Sequence, residues 1–196
     1  MRRIEEFWIE FNPAPPAADK PVTSGFLSLL YDMADSVKGA VLVVFLVFAL
    51  VFRVVGVDGD SMYPTLHDGD WVATTGAKAE FEQGDIVVVT QPWERNVPII
   101  KRVIAVGGDT VYIDFERSEV YVNGIKLNEP YISEPTQLSY DVEFPLTVDE
   151  GKIFVMGDNR NISLDSRSSK IGLIDERYVL GKAIGRIYPA GEWKIY

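Results

Sequence analysis

The hydrophobic pattern of this chain changes character once, near residue 53. Before that point, Gly39 to Phe52 (GAVLVVFLVFALVF) runs for 14 residues without a charge. Apolar side chains on every face leave no polar side for a soluble fold, so the run reads as a transmembrane anchor. A span of ~30 Å of hydrocarbon takes about 20 residues. The run approaches that length by taking in Val54, Val55, Gly56 and Val57 beyond a snorkelling Arg53. Upstream, Phe26, Leu29, Leu30, Met33 and Val37 recur along one helical face, which predicts an interfacial helix leading into the anchor.

Beyond Arg53 the chain breaks into short runs rich in Val, Ile and Tyr, separated by Gly, Asp and Pro. This predicts strands at Trp71–Thr75, Asp85–Thr90, Ile99–Val106, Thr110–Asp114, Glu119–Val122, Lys152–Met156 and Val179–Tyr188. Asn123-Gly124, flanked by Val122 and Ile125, is the dipeptide of a tight hairpin turn. The expected fold is mostly β: an antiparallel sheet or partly closed barrel behind an N-terminal transmembrane helix. Three regions follow. Residues 1–38 form a tail with a Pro-rich spacer (Asn12-Pro13-Ala14-Pro15-Pro16), residues 39–57 the anchor, and residues 58–196 the β domain. Within that domain, about 114–150 reads as a less regular insertion.

Two other readings of the apolar run are a buried helix of a soluble core and a cleaved signal peptide. The latter fits poorly, because the run starts at residue 39, past the usual 15–30-residue window. Charge does not orient the anchor. Residues 1–38 carry Arg2, Arg3, Lys20 and Lys38 against six acidic side chains, and near the span Lys38 stands against Arg53.

Composition narrows the chemistry. A formal net charge of −10 argues against nucleic acid, which needs a basic footprint. Zinc spacing and phosphate-binding glycine loops are missing, so no metal or cofactor is expected. There is no cysteine and only one histidine, His67. A serine nucleophile would therefore have few bases to choose from.

Ser61 is the candidate nucleophile. It follows Asp58-Gly59-Asp60 on a turn whose small residues allow close approach to a carbonyl, with backbone N–H groups at hand for an oxyanion. Turn chemistry alone also explains a serine there. Lys101, between Ile100 and Arg102, shares a strand face with Ile99 and Val103. Desolvation on such a face favours the neutral amine, and a neutral lysine can act as general base. A lysine snorkelling from a sheet edge is the plain alternative. His67, in a polar turn six residues after Ser61, is the competing base. The stretch Gly157–Arg167 reads either as a solvated loop or as one where Ser163 orients the lysine while Asp165 and Arg167 brace the backbone.

These segments resemble bacterial type I signal peptidases, membrane-bound Ser/Lys endopeptidases. The matching blocks are Asp58-Gly59-Asp60-Ser61-Met62-Tyr63-Pro64-Thr65-Leu66, Gly84-Asp85-Ile86-Val87, and Lys101-Arg102-Val103-Ile104 with Gly108-Asp109. They continue with Val122-Asn123-Gly124, then Gly157-Asp158-Asn159-Arg160 with Ser163, Asp165, Ser166 and Arg167, and Gly181-Lys182-Ala183. The blocks run in family order over roughly residues 54–189.

The resemblance implies Ser61 as nucleophile, Lys101 as general base, Ser163 bonded to the lysine, and Asp165 with Arg167 holding the loop. It implies that Met62 helps form the substrate surface, and that a monomeric, single-pass protein in the cell membrane carries its catalytic domain on the extracytoplasmic face. The implied substrates are secretory precursors with small residues at the first and third positions before the cut. Two positions depart from the pattern. Some members place an oxyanion-donating serine where Gly59 stands, leaving backbone N–H groups here, and Gly107-Gly108 replaces the usual Pro-Gly. Self-cleaving Ser/Lys repressors share the dyad, but they need a DNA-binding domain. A non-catalytic, membrane-tethered β module is the other rival, and it would be expected to lack Ser61 or Lys101.

Overall fold

A computed structural model describes residues 25–76, 80–90 and 97–190, with side chains of 47–51 excepted. The Pro-rich spacer at 12–16 lies outside the described residues. The described chain separates into a helical unit ending at Leu46 and a β unit beginning at Val47.

One helix, α1, runs unbroken over Gly25–Val51, so the expected interfacial helix and the start of the anchor are a single element. Its N-terminal half carries Asp32, Asp35 and Lys38, the last two paired at 2.9 Å. Those charges shorten the apolar stretch. Among the described residues, no helix is long and apolar enough to cross a membrane. The expected extension through Val54–Val57 is not helical. Phe52–Gly56 forms strand β1, paired antiparallel with β2 (Trp71–Gly76) from Phe52↔Thr75 to Gly56↔Trp71. Arg53 is therefore a strand residue opposite Thr74.

The remaining strands are β3 (Ile86–Val89), β4 (Ile99–Val106), β5 (Thr110–Asp114), β6 (Glu119–Val122), β7 (Ile125–Lys126), β8 (Leu146–Thr147), β9 (Lys152–Met156), β10 (Ile174–Asp175) and β11 (Val179–Tyr188). Seven build a curled antiparallel sheet in the order β1-β2-β11-β3-β4-β9-β10. It is mostly β, as expected, and it is open, with β1 and β10 at its edges. A second sheet, β7-β6-β5-β8, contains the expected strands Thr110–Asp114 and Glu119–Val122 and adds two short ones. Between β7 and β8 the chain is irregular. Asn123 and Gly124 take positive φ (52° and 77°) at the β6–β7 turn, the conformation an Asn-Gly hairpin requires.

The core explains why β3 is aliphatic throughout. It lies inside the sheet and is buried on both faces. Ile86 and Val88 pack with Val57, Met62 and Leu66, while Val87 and Val89 pack with Val103 and Val155. A third cluster, including Ile104, Phe154, Val111 and Val120, joins the large sheet to the small one. The first of these clusters anchors the turn that carries Ser61.

Candidate active site

The turn after β1 is pinned at both ends. The Val57 N–H donates to Asp70 O (2.8 Å) and the Gly69 N–H to Val57 O (3.0 Å), closing a loop. Inside it, Tyr63 N–H donates to Asp60 O (3.1 Å) and Leu66 N–H to Met62 O (2.9 Å). Met62 and Leu66 are sunk in the core, which leaves Ser61 half-exposed on a turn that cannot drift. Gly59 adopts φ +82°, a left-handed conformation in which a side chain is strained. Its N–H is committed to Asp68 Oδ1 at 2.8 Å. The Ser61 N–H has no acceptor among the described residues, and neither do those of its neighbours Asp60 and Met62.

Lys101 arrives from β4, in register with Val87. It is 3% exposed. Its Nζ donates to Ser61 Oγ at 2.7 Å and to Ile100 O at 2.9 Å. Burial pulls the ammonium pKa down from 10.5 to about 8, against the raising influence of Asp165 and Asp158 and with help from Arg167. At pH 7 roughly a tenth of the molecules then hold a neutral amine at Ser61, against fewer than about one in a thousand for an ordinary lysine.

The rival base is elsewhere. His67 is a half-exposed side chain lying edge-on to Tyr63 (5.2 Å between centroids), with Nδ1 3.9 Å from Asp70 Oδ2. It makes no hydrogen bond to Ser61. Of the two bases open to the sequence, the fold brings only Lys101 to the hydroxyl.

The loop 157–167 supports both groups. Arg167 forks onto Asp165 through Nε–Oδ1 (2.8 Å) and Nη2–Oδ2 (2.9 Å), with both side chains fully buried. Asp165 Oδ2 also accepts from the Gly157 N–H (3.0 Å), and Arg167 donates to Arg160 O (2.6 Å) and Leu138 O (2.8 Å). Ser163 differs from what the resemblance implies. Its Oγ is buried without a hydrogen-bond partner, and Lys101 Nζ spends its bonds on Ser61 and Ile100. The hydroxyl nonetheless lies near the Ser61 backbone carbonyl. A Cβ at Gly157 would overlap both Ser163 Oγ and Ser61 O.

Three residues that sequence reasoning did not assign complete the site. Asn159 clamps the nucleophile turn, its backbone N–H donating to Ser61 O (3.1 Å) and its Nδ2 to Asp60 O (3.2 Å). Arg102, 1% exposed, forks onto Asp158 through Nε–Oδ1 (2.8 Å) and Nη2–Oδ2 (2.7 Å). Asp158 in turn accepts from Thr65 Oγ1 at 2.5 Å, which ties β4 and the 157–167 loop to the Ser61 turn. One signal was present: a charged pair, Lys101-Arg102, inside a strand apolar on both sides.

A groove of about 260 Å³ opens beside the two groups, lined by Val55, Val57, Ser61, Met62, Ile100 and Lys101 among others. Its lining is mostly apolar, with Asp58, Ser61 and Lys101 as the polar members.

Comparison with known proteins points to one family. The family model described as signal peptidase, peptidase S26, matches residues 30–188. Signal peptidase I of Bacillus licheniformis is 39% identical over 173 residues, covering 83% of this chain and 91% of the relative. Signal peptidase IB of Staphylococcus aureus (strain Mu50) is 35% identical over 183 residues, covering 84% and 93%. A solved signal peptidase I from Enterococcus faecalis is 33% identical, with a TM-score of 0.42, covering 53% of this chain and 97% of that one.

Proposed function

The chain belongs to the signal peptidase family, peptidase S26, and from that premise we propose that it cleaves signal peptides from secretory precursors through a Ser61–Lys101 dyad and an acyl-enzyme. Membership makes it a serine endopeptidase; the residue roles and the steps are our reading. The observation that carries it is a buried lysine amine 2.7 Å from a serine hydroxyl, with its pKa drawn to about 8.

The steps follow from that geometry. Neutral Lys101 removes the Ser61 proton as Oγ attacks the scissile carbonyl, and the Ser61 N–H receives the oxyanion. The resulting ammonium protonates the leaving amine, so the new N-terminus departs and the signal peptide stays esterified to Ser61. Lysine, neutral again, takes a proton from a water as that water attacks the ester carbonyl. The bond from carbonyl carbon to Ser61 Oγ then breaks, the signal peptide leaves with a free carboxyl group, and the Lys101 ammonium returns its proton to Ser61 Oγ. General-base help of this kind contributes about 10²–10⁴-fold. Ser163 Oγ, buried without a partner, would accept the extra N–H that Lys101 carries once protonated if a small side-chain movement brought the two within bonding distance. Small residues at the first and third positions before the cut fit the aliphatic groove, which Met62 helps to wall.

The family is membrane-associated, and we assign the attachment to the uncharged half of α1. Its apolar side chains from Val41 to Leu46 are exposed in the described chain, as lipid-facing residues would be. Residues 39–51, the uncharged part of the helix, cover ~20 Å at ~1.5 Å per residue, with local bilayer thinning making up the rest of ~30 Å. Asp32, Asp35 and Lys38 then lie at head-group level, and a monomer acts with its β unit on the outer face. Incubating detergent-solubilised protein with a model precursor tests the catalytic reading. Ser61→Ala and Lys101→Ala should each abolish cleavage while remaining folded, and substantial processing by either would refute the dyad.

A further inference from the structure

Tyr131 lies in the irregular stretch between β7 and β8, far in sequence from every group the reaction uses. Its ring covers the face of the Arg102 guanidinium, 4.0 Å from its central carbon to the ring centroid, and the Arg160 guanidinium lies 6.0 Å from the same ring. Tyr131 OH donates to Glu129 Oε1 (3.3 Å), and that carboxylate pairs with Arg160 Nη2 at 2.6 Å. Desolvation holds the phenol pKa up at about 12, so the group stays protonated and donates.

The Arg102 donors all lie in the guanidinium plane. They reach Asp158, Gly84 O (2.8 Å) and, more weakly, Thr65 Oγ1 (3.4 Å). In-plane bonds fix the fork sideways but leave it free to rock perpendicular to the plane. An aromatic ring on its face removes that freedom, and the cation–π attraction is strongest where water is excluded. Arg102 directly follows Lys101, and its partner Asp158 holds Thr65, four positions beyond Ser61. Rocking of this one guanidinium would therefore move the amine and the hydroxyl relative to each other.

We propose that Tyr131 is a positioning residue for cleavage, its ring clamping Arg102 so that Ser61 and Lys101 keep their reacting distance. The inference rests on the Ser61–Lys101 reading and deepens it, giving the irregular stretch between β7 and β8 a part in the reaction.

The test compares Tyr131→Phe, Tyr131→Leu and Ser61→Ala in the full-length, detergent-solubilised protein. The substrate is a synthetic precursor peptide with alanine at the first and third positions before the cut. Tyr131→Leu should lower kcat about tenfold with KM within about twofold, because a small misplacement of reacting groups costs rate rather than binding. Tyr131→Phe, which keeps the ring and loses the phenol, should return kcat to within about twofold of the parent, since the clamp is the ring's. Parental kcat in Tyr131→Leu would overturn the proposal. So would equal losses in both variants, a loss confined to KM, or a Tyr131→Leu protein that does not fold, since the ring would then be structural. Cleavage by Ser61→Ala would instead remove the dyad reading itself.

Discussion

Asp165 and Arg167, two positions apart, form a two-pronged ion pair from which water is entirely excluded. The carboxylate has a second task, accepting the Gly157 N–H, and the guanidinium has three more carbonyl contacts, at Leu138, Arg160 and Ser163. Removing one member leaves the other charged and buried, which costs about 3–5 kcal/mol. Asp165→Ala should therefore lower the urea midpoint steeply. Arg167→Lys should do nearly as much, because an ammonium cannot reproduce the planar fork. A midpoint for Arg167→Lys equal to the parent's would show that charge alone, and not the fork, holds the loop.

Burial of Lys101 has opposite consequences for rate and stability. Its folded pKa, about 8, lies below the unfolded value of 10.5, so the unfolded chain binds more protons between those limits. The penalty for charging it in the fold is full below pH 8 and vanishes as pH rises through 10.5. A shift of this size corresponds to about 3 kcal/mol. Lys101→Met should accordingly be inactive yet more stable at pH 7, with the advantage shrinking toward pH 10.5. Since only the neutral amine accepts a proton, kcat/KM of the parent should fall about tenfold per pH unit below a limb near 8. Parallel stability–pH curves for parent and Lys101→Met, or a rate limb near 10, would mean that the amine is not desolvated.

The longer strands were legible because each is a run of four or more residues rich in Val, Ile and Tyr between turn-forming residues. Ile99–Val106, Thr110–Asp114, Glu119–Val122, Lys152–Met156 and Val179–Tyr188 have the bounds that composition implies. Strand β1 was not, because Phe52–Gly56 continues an apolar run and only its pairing with Trp71–Gly76 makes it extended. Strands β7, β8 and β10 are two residues long and are defined by their partners alone. The site divides in the same way. Ser61 and Lys101 stand out by residue type in an unusual setting. Thr65–Asp158, Asn159–Asp60 and Tyr131–Arg102 join positions far apart in the chain, and no local pattern announces such contacts.

Gly157 measures how tightly the catalytic loop abuts the nucleophile turn. An added Cβ would overlap Ser61 O, a backbone atom that cannot rotate away, as well as Ser163 Oγ. Gly157→Ala must push the two segments apart, costing about 1–3 kcal/mol of stability. Asn159 N–H should then lose its bond to Ser61 O, and kcat should fall by at least about tenfold through misplacement of the hydroxyl. A variant with parental kcat and melting temperature would show that the loop can retreat without disturbing Ser61.

The uncharged half of α1 offers the last prediction. Leu42, Val43 and Phe45 are each more than half exposed, on a stretch with no polar face to turn toward water. If this half enters the bilayer, a lysine near its middle costs about 2.5–3.5 kcal/mol of insertion free energy. Val43→Lys should then shift the full-length protein from liposomes toward the soluble fraction in flotation, by roughly a hundredfold in partitioning. The same substitution in detergent should leave kcat on a short precursor peptide unchanged, because Val43 lies outside the β unit that carries Ser61 and Lys101. Undiminished flotation of Val43→Lys would locate the membrane attachment somewhere other than this helix.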